Sequence, residues 1–324
     1  MTNPVSTIDM TVTQITRVAK DINSYELRPE PGVILPEFTA GAHIGVSLPN
    51  GIQRSYSLVN PQGERDRYVI TVNLDRNSRG GSRYLHEQLR VGQRLSIVPP
   101  ANNFALVETA PHSVLFAGGI GITPIWSMIQ RLRELGSTWE LHYACRGKDF
   151  VAYRQELEQA AAEAGARFHL HLDEEADGKF LDLAGPVAQA GQDSIFYCCG
   201  PEAMLQAYKA ATADLPSERV RFEHFGAALT GEPADDVFTV VLARRSGQEF
   251  TVEPGMTILE TLLQNGISRN YSCTQGVCGT CETKVLEGEP DHRDWVLSDE
   301  KKASNSTMLI CCSLSKSPRL VLDI

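Results

Sequence analysis

Three cysteines on one short loop constrain this chain more than any other feature. Cys273, Cys278 and Cys281 have the spacing C-x4-C-x2-C, and Cys311 follows after 29 further residues. This is the plant-type spacing for a 2Fe–2S cluster. Three thiolates on a tight loop reach both irons, and a distant segment brings the fourth. The intervening TQGV and GT contain Gly276 and Gly279, so the backbone is free to curl and aim N–H groups at the sulfides. Zinc fits less well, because zinc knuckles favour C-x2-C pairs over an x4 step. Cys312 adjoins Cys311. MLICC reads as a strand, whose neighbours point to opposite faces, so one of the two cysteines faces the cluster.

The remaining cysteines point the same way. Of eight, none precedes Cys145 and five lie from Cys273 to Cys312. A secreted disulfide framework spreads its cysteines, whereas clustered cysteines in a reducing compartment hold a metal. MTNPVSTIDM lacks the basic start and apolar stretch of a signal peptide, and no apolar run reaches the roughly 18 residues of a membrane helix. A cytoplasmic protein without membrane contact is expected. The net charge of −10 argues against nucleic acid as a partner.

At 324 residues, two or three domains are expected. The first hundred residues hold short β-rich segments such as VITVNL (69–74) and RLSIV (94–98). Turn signals separate them at Pro31-Gly32, Pro49-Asn50-Gly51, Pro61-Gln62-Gly63 and Pro99-Pro100, which suggests an antiparallel barrel. One helix is expected at 81–89. From SVLFA (113–117) onward, strands and helices alternate, as in a doubly wound parallel sheet. A polar segment at 229–236 reads as a linker, and an α+β domain with the cysteine loop ends the chain. The expected division is 1–108, 109–228 and 237–324.

Gly118, Gly119 and Gly121 lie between a buried strand and a helix, where such sheets bind a dinucleotide pyrophosphate. YCCGP (197–201) makes a second turn of that kind. In order come RSYSL (54–58), RGGS (79–82), GGIGITP (118–124), CCGP (198–201), FEHFG (222–226) and the cysteine loop. This series resembles the phthalate dioxygenase reductase family, single-chain flavin and 2Fe–2S reductases of Rieske-type oxygenases, over essentially the whole chain. The gap before Cys311 is similar to that of plant-type ferredoxins, which favours Cys311 over Cys312.

The resemblance implies roles. Arg54 would bind the flavin phosphate, Tyr56 would pack beside the isoalloxazine with Ser55 next to it, and Ser57 would lie near flavin N5. Arg79, Gly81 and Ser82 match the phosphate-side loop. Gly119, Gly121 and Thr123 match the nicotinamide site, Cys199 and Gly200 its second half, and Phe225 an aromatic near the flavin. Ser57, Thr123, Cys199 and Phe225 are the implied catalytic group. Domain order favours FMN, with FAD the alternative. NADH is the expected reductant: the acidic Asp173, Glu174 and Glu175 oppose NADPH, although Arg146 and Lys148 offer cations for a 2′-phosphate. A monomer passing single electrons to a separate Rieske-type terminal oxygenase is expected. The other readings are a haem or di-iron oxygenase as acceptor, or a redox-sensing module without turnover. From Cys273 to Glu300 there are seven acidic residues (Glu282, Glu287, Glu289, Asp291, Asp294, Asp299, Glu300) against Lys284 and Arg293, which suggests an acidic docking face.

Overall fold

The computed structural model describes residues 7–49, 52–75, 80–225, 237–271, 276, 279–295 and 297–324. The chain divides into two compact units, one formed by Val5–Phe225 and one that holds Gly226–Ile324. Among the described residues, no helix is long and apolar enough to cross a membrane.

The first unit contains two sheets. Strands β1 (Ile8–Ala19), β2 (Ile22–Arg28), β3 (His43–Ser47), β4 (Gln53–Ser57), β5 (Tyr68–Asn73) and β6 (Arg94–Ala101) are antiparallel, in the order β4-β3-β6-β1-β2-β5. The two edges meet where Leu58 bridges Ile70 and the Val59 N–H bonds the Val69 carbonyl at 2.9 Å. The sheet thus closes into a barrel filled by side chains such as Met10, Tyr25, Leu27, Ile44 and Ile70. Helix α1 (Gly81–Glu87) follows β5.

Pro99-Pro100, expected as a turn, lies inside β6. The register with β3 slips between His43, opposite Ala101, and Gly45, opposite Val98. Two prolines therefore face the single residue Ile44. A bulge of this kind suits proline, which has no N–H to leave unpaired.

The second sheet is wholly parallel. It contains β7 (His112–Gly118), β8 (Thr138–Cys145), β9 (Arg167–Leu172), β10 (Ile195–Gly200) and β11 (Val220–His224), in the order β11-β10-β7-β8-β9. Helices α2 (Ile122–Leu135), α3 (Arg154–Ala164), α4 (Ala184–Gln189) and α5 (Glu202–Ala211) connect the strands. The strand order reverses between β7 and β10, the switch point at which such sheets bind ligands. Helix α2 starts at Ile122, so Pro124 lies in its first turn, and Gly136 ends it at φ 66°. Its buried Ile122, Ile125, Trp126, Met128, Ile129 and Leu132 share one core with Ile22, Ala40, Val59 and Phe104 of the barrel side. Polar bonds cross the same boundary. Ser127 Oγ accepts from Gly41 N at 3.0 Å, Gln130 Nε2 donates to Val59 O at 2.8 Å, and Tyr197 OH accepts from Val107 N at 2.8 Å.

The second unit has strands β12 (Phe238–Leu242), β13 (Gln248–Val252), β14 (Glu282–Glu287), β15 (Pro290–Asp291), β16 (Thr307–Leu309), β17 (Leu314–Ser315) and β18 (Arg319–Leu322). Five form a sheet in the order β13-β12-β18-β14-β16, and β15 pairs with β17. Helix α6 (Ile258–Gln264) opens with a capping box between Thr257 and Glu260, and α7 (Asp299–Ser304) follows the β15 segment. The linker at 229–236 lies outside the described residues. MLICC is only partly a strand. β16 stops at Leu309, whose carbonyl accepts from Cys312 N and Ser313 N at 3.3 and 3.0 Å, while Ile310 O is taken by Leu259 N at 2.9 Å. With these carbonyls committed to a turn and to α6, no ladder continues through Cys311 and Cys312. Alternation of faces therefore does not choose between them.

Glu26 of β2 ties β1 and the residue before β5 to its own strand, accepting from Thr13 Oγ1, Arg28 Nε and Arg67 Nη1 at 2.7, 2.8 and 2.7 Å. Burial raises its pKa, but bonds from Arg28, Thr13 and Arg67 outweigh that and hold the carboxyl at about 2, below its ordinary 4.5. A pKa lower in the folded state gives stability that is present above the unfolded value and lost as pH falls through the folded one. Glu26→Gln should lower the thermal midpoint at pH 7. The gap from the unmodified protein should shrink between pH 4.5 and 2, followed by circular dichroism.

Candidate active site and cluster loop

The barrel side of the site is strand β4. Ser57 pairs with His43 across the β3–β4 ladder and Tyr56 with Ile44. Ser57 is buried, and its Oγ has no hydrogen-bond partner among the described residues. A buried hydroxyl without a partner is costly, and a bound group with a polar ring atom would satisfy it. Arg54 Nη1 donates to Gln53 O at 2.7 Å. A Cβ at Gly81 would lie 2.9 Å from Arg54 Cγ, so β4 and the start of α1 meet through the arginine stem. Ser82 Oγ accepts from Asp75 N at 3.2 Å. The structure thus gathers Arg54, Gly81 and Ser82 toward one end of β4. Arg79 lies outside the described residues. Burial pushes the Tyr56 phenol up, against an opposing pull from Arg54, so the ring is neutral at working pH. These features fit a flavin: a cation beside small residues for its phosphate, and an aromatic and an orphan hydroxyl for its ring.

The side expected to take the nicotinamide dinucleotide is a cleft of about 550 Å³ across the carboxyl ends of the parallel strands. Gly118 ends β7 and Gly119 to Gly121 follow it, while Gly200 ends the adjacent β10 and Pro201 follows. A Cβ on Gly121 would lie 2.1 Å from Cys199 O, so only glycine lets the two turns touch. Gly119 has φ 53° and open space where a Cβ would be, and its carbonyl accepts from Tyr143 OH at 3.0 Å. The loop is thus anchored from below and bare toward the cleft, which fits a pyrophosphate approaching its backbone.

Two expected residues sit behind this wall. Thr123 is buried and its Oγ1 donates to Ile120 O at 3.1 Å, clasping the loop. Cys199 is fully buried, and burial, then the neighbouring Glu223 and Cys198, hold its thiol far above the ordinary range. Neither side chain borders the cleft, whereas Gly119, Gly121, Gly200 and Phe225 do. Cys145 borders it as well, and burial pushes its thiol up to about 11.

Strand order gives the cleft a direction. Phe225 follows β11 at one edge, and Asp173 follows β9 at the other. Near the β9 end, Arg146 lies over the Phe150 ring at 4.9 Å, and Lys148 is paired with Glu175 at 2.7 Å. Several lining residues carry no signal in the sequence. Ile22 and Asn73 come from the barrel, and the ring of Phe180, 88% exposed, stands at the cleft from the loop after β9. Phe180 sits between Lys179 and Leu181 and is not set apart by its segment. The barrel pair is visible only once the two sheets are packed together.

In the second unit, Cys281 and Cys311 are both buried, while Cys273 and Cys278 lie outside the described residues. Gly276 has φ 70°, and a Cβ there would lie 2.5 Å from Cys312 Sγ and 3.2 Å from Asp294 Cα. Its carbonyl accepts from Trp295 N at 3.0 Å. Cys312 Sγ lies 3.7 Å from Leu309 O, inside its own turn. This tight, glycine-dependent cradle and its buried thiols fit a 2Fe–2S group.

The acidic residues of the stretch expected as a docking face are largely paired. Glu282 pairs with Lys301 at 3.0 Å, Glu287 with Arg319 at 3.3 Å, Glu289 with Lys316 at 3.3 Å and Asp291 with Arg293 at 2.6 Å. Asp294 is buried. Three of these cations lie beyond Glu300, so counting charge within the stretch overstated its field.

Comparison with known proteins matches both halves. A model described as a 2Fe-2S iron-sulfur cluster binding domain covers residues 241–316, and an oxidoreductase NAD-binding domain covers 115–210. The chain is 49% identical over 306 residues to the phenoxybenzoate dioxygenase subunit beta of Ectopseudomonas oleovorans, covering 94% of each. It is 41% identical over 323 residues to the carnitine monooxygenase reductase subunit of Escherichia coli K12, covering 98% of each. The solved phthalate dioxygenase reductase superposes with a TM-score of 0.83 at 37% identity, covering 98% of both chains. A type IV self-sufficient cytochrome P450 monooxygenase gives 0.76 at 35% identity, this chain spanning 41% of it.

Gly121→Ala forces a methyl against a backbone carbonyl, whereas Gly119→Ala meets open space and carries only the left-handed strain of roughly 1 kcal/mol. Thermal melts should show the first variant clearly less stable than the second. Equal midpoints would contradict the close approach of the two turns.

Proposed function

Because the chain belongs to the phthalate dioxygenase reductase-like family, whose members carry electrons from NAD(P)H through a flavin and a 2Fe–2S cluster to oxygenases, we propose that it is the NADH-dependent, FMN-containing reductase of a two-component Rieske-type aromatic-ring oxygenase. One observation supports this most: Ile22 and Asn73 of the barrel wall the same cleft as Gly119 and Phe225 of the parallel sheet. A dinucleotide laid along that cleft is brought to the barrel that carries Ser57. A bound flavin accepts the electron pair of a hydride and releases electrons singly, which is what a 2Fe–2S cluster takes up.

The chain's own residues then have defined tasks. Arg54 and Ser82 would hold the flavin phosphate, with Arg79, three residues before Ser82 in the sequence. Ser57 Oγ, buried and without a partner among the described residues, would donate a hydrogen bond to the flavin ring. Gly119, Gly121 and Gly200 admit the pyrophosphate, and Phe225 covers the nicotinamide end. Thr123 and Cys199 shape this wall from behind. Cys199 is a neutral thiol and works as packing, not as a base or nucleophile. Cys311, with Cys273, Cys278 and Cys281, ligates the cluster.

The preference for NADH rests on the β9 end. Asp173 borders the cleft, where a carboxylate accepts from ribose hydroxyls and repels a 2′-phosphate, and Lys148 is engaged by Glu175. Phe180 offers a face for the adenine. A second reading, a haem oxygenase as acceptor, draws on the likeness to self-sufficient P450 chains. Turnover restored by a purified Rieske-type oxygenase, and not by a haem enzyme, distinguishes the two.

NADH should bleach the visible absorbance of the purified protein and drive ferricyanide reduction. NADPH should be at least tenfold poorer in kcat/KM, and Asp173→Ala should narrow that ratio. Heat-released flavin should co-elute with FMN on chromatography, and recovery of FAD would refute that assignment. Arg54→Ala should weaken flavin retention by about 1.5–3 kcal/mol, the size of a lost charge-assisted bond. Cys311→Ser should lose the cluster's absorbance and keep the flavin, while Cys312→Ser keeps both.

A further inference from the structure

Tyr153 stands out in the backbone. It has φ 59°, and the other non-glycine residues with positive φ among those described are Asp21, Asp177, Ser246 and Asn305. Short polar side chains tolerate the left-handed region through local hydrogen bonds, but a bulky aromatic does not. Tyr153 precedes α3 without capping it by its side chain, so capping does not explain the strain. Such an outlier persists only where its surroundings over-determine it.

Those surroundings are specific. The Tyr153 ring stacks on Trp126 of α2, with centroids 5.9 Å apart and planes at 17°. Its hydroxyl is hydrogen-bonded to Thr71 Oγ1 of β5. Burial pushes the phenol up to about 12, against hydrogen bonds from Thr71 and Ser24, so it stays protonated. Thr71 and Ser24 are a cross-strand pair in the β2–β5 ladder, and the next pair on the same face is Ile22 with Asn73. Ile22 and Asn73 are the barrel's contribution to the nicotinamide cleft. The tyrosine therefore grips the barrel one cross-strand step from the cleft wall, while its ring is fixed to the helix that follows the glycine loop.

We propose that Tyr153 is a positioning residue for hydride transfer, a latch that sets the spacing between the barrel face and the nicotinamide cleft through Thr71 and Trp126. It touches neither substrate nor flavin. The inference rests on the hydride-transfer reading above. Hydride transfer needs reacting atoms held within a fraction of an ångström, so slack here lowers the rate of the step more than the affinity for NADH.

The test is anaerobic stopped-flow bleaching of the flavin across NADH concentrations, with the holoprotein and the variants Tyr153→Phe, Thr71→Val and the double variant. Each single variant should retain its flavin and lower the limiting rate roughly tenfold, with the NADH dissociation constant within about twofold. The double variant should be no slower than the singles, because both remove one contact. An enlarged primary isotope effect with 4-deuterated NADH should accompany the slower rate. Unchanged limiting rates in flavin-replete variants would overturn the latch, as would weaker NADH binding at an unaltered rate or additive losses in the double variant. Failure of NADH to bleach the unmodified protein would instead overturn the hydride-transfer reading, and the latch with it.

Discussion

The apolar seam between helix α2 and the barrel is the interaction on which the rest of the first unit depends. Helix α2 spends its buried face twice. Ile122, Ile125 and Ile129 pack into the parallel sheet's core, and that same core takes in Ala40, Val59 and Phe104 from the barrel side. Burial of this kind has no direction of its own, at about 25 cal/mol per Å² of apolar surface. Direction comes from the few polar bonds at its rim, such as Gly41 N–H to Ser127 Oγ and Gln130 to the Val59 carbonyl. Sliding the seam would strand these groups. The glycine turn at the head of α2 is therefore registered against the barrel by the helix behind it. Ile22 and Asn73 of the barrel and the glycine turn of the parallel sheet thereby wall one cleft.

How far the sequence reveals this depends on the range over which each feature is encoded. The cysteine spacing, the β7 glycine turn and the CCGP turn are local, and each is a backbone requirement that few residue types meet. The alternation of apolar strands with amphipathic helices is also local, so the doubly wound sheet was legible from SVLFA onward. Pro99-Pro100 shows the limit. A proline pair signals a turn until a partner strand supplies a bulge, and that partner, β3, lies some fifty residues away. MLICC fails likewise, because the carbonyl that would have continued the strand is claimed by Leu259 of α6. The acidic run carries a weaker field than its count for an electrostatic reason: Lys301, Lys316 and Arg319 fall outside a count confined to the stretch but pair with it in space.

The candidate site divides along the same line. Residues that meet phosphate through the backbone carry a motif. Residues that form walls do not, because Ile22, Asn73 and Phe180 are unexceptional in their own segments. Thr123 and Cys199 fall between the two. Their motifs locate the right turns, yet their side chains face away from the cleft and hold those turns from behind.

The three cysteines outside the cluster segment share a property with a consequence for survival in air. Burial holds the thiols of Cys145, Cys198 and Cys199 above their ordinary range, and Cys145 does so while bordering the cleft. Peroxide and electrophiles attack the thiolate, not the thiol. A reductase that supplies an oxygenase works beside dioxygen, and electrons that stray produce peroxide at its own surface. Sulfur chemistry is therefore suppressed along this cleft. The cysteines with cluster spacing lie in the other unit, apart from this cleft.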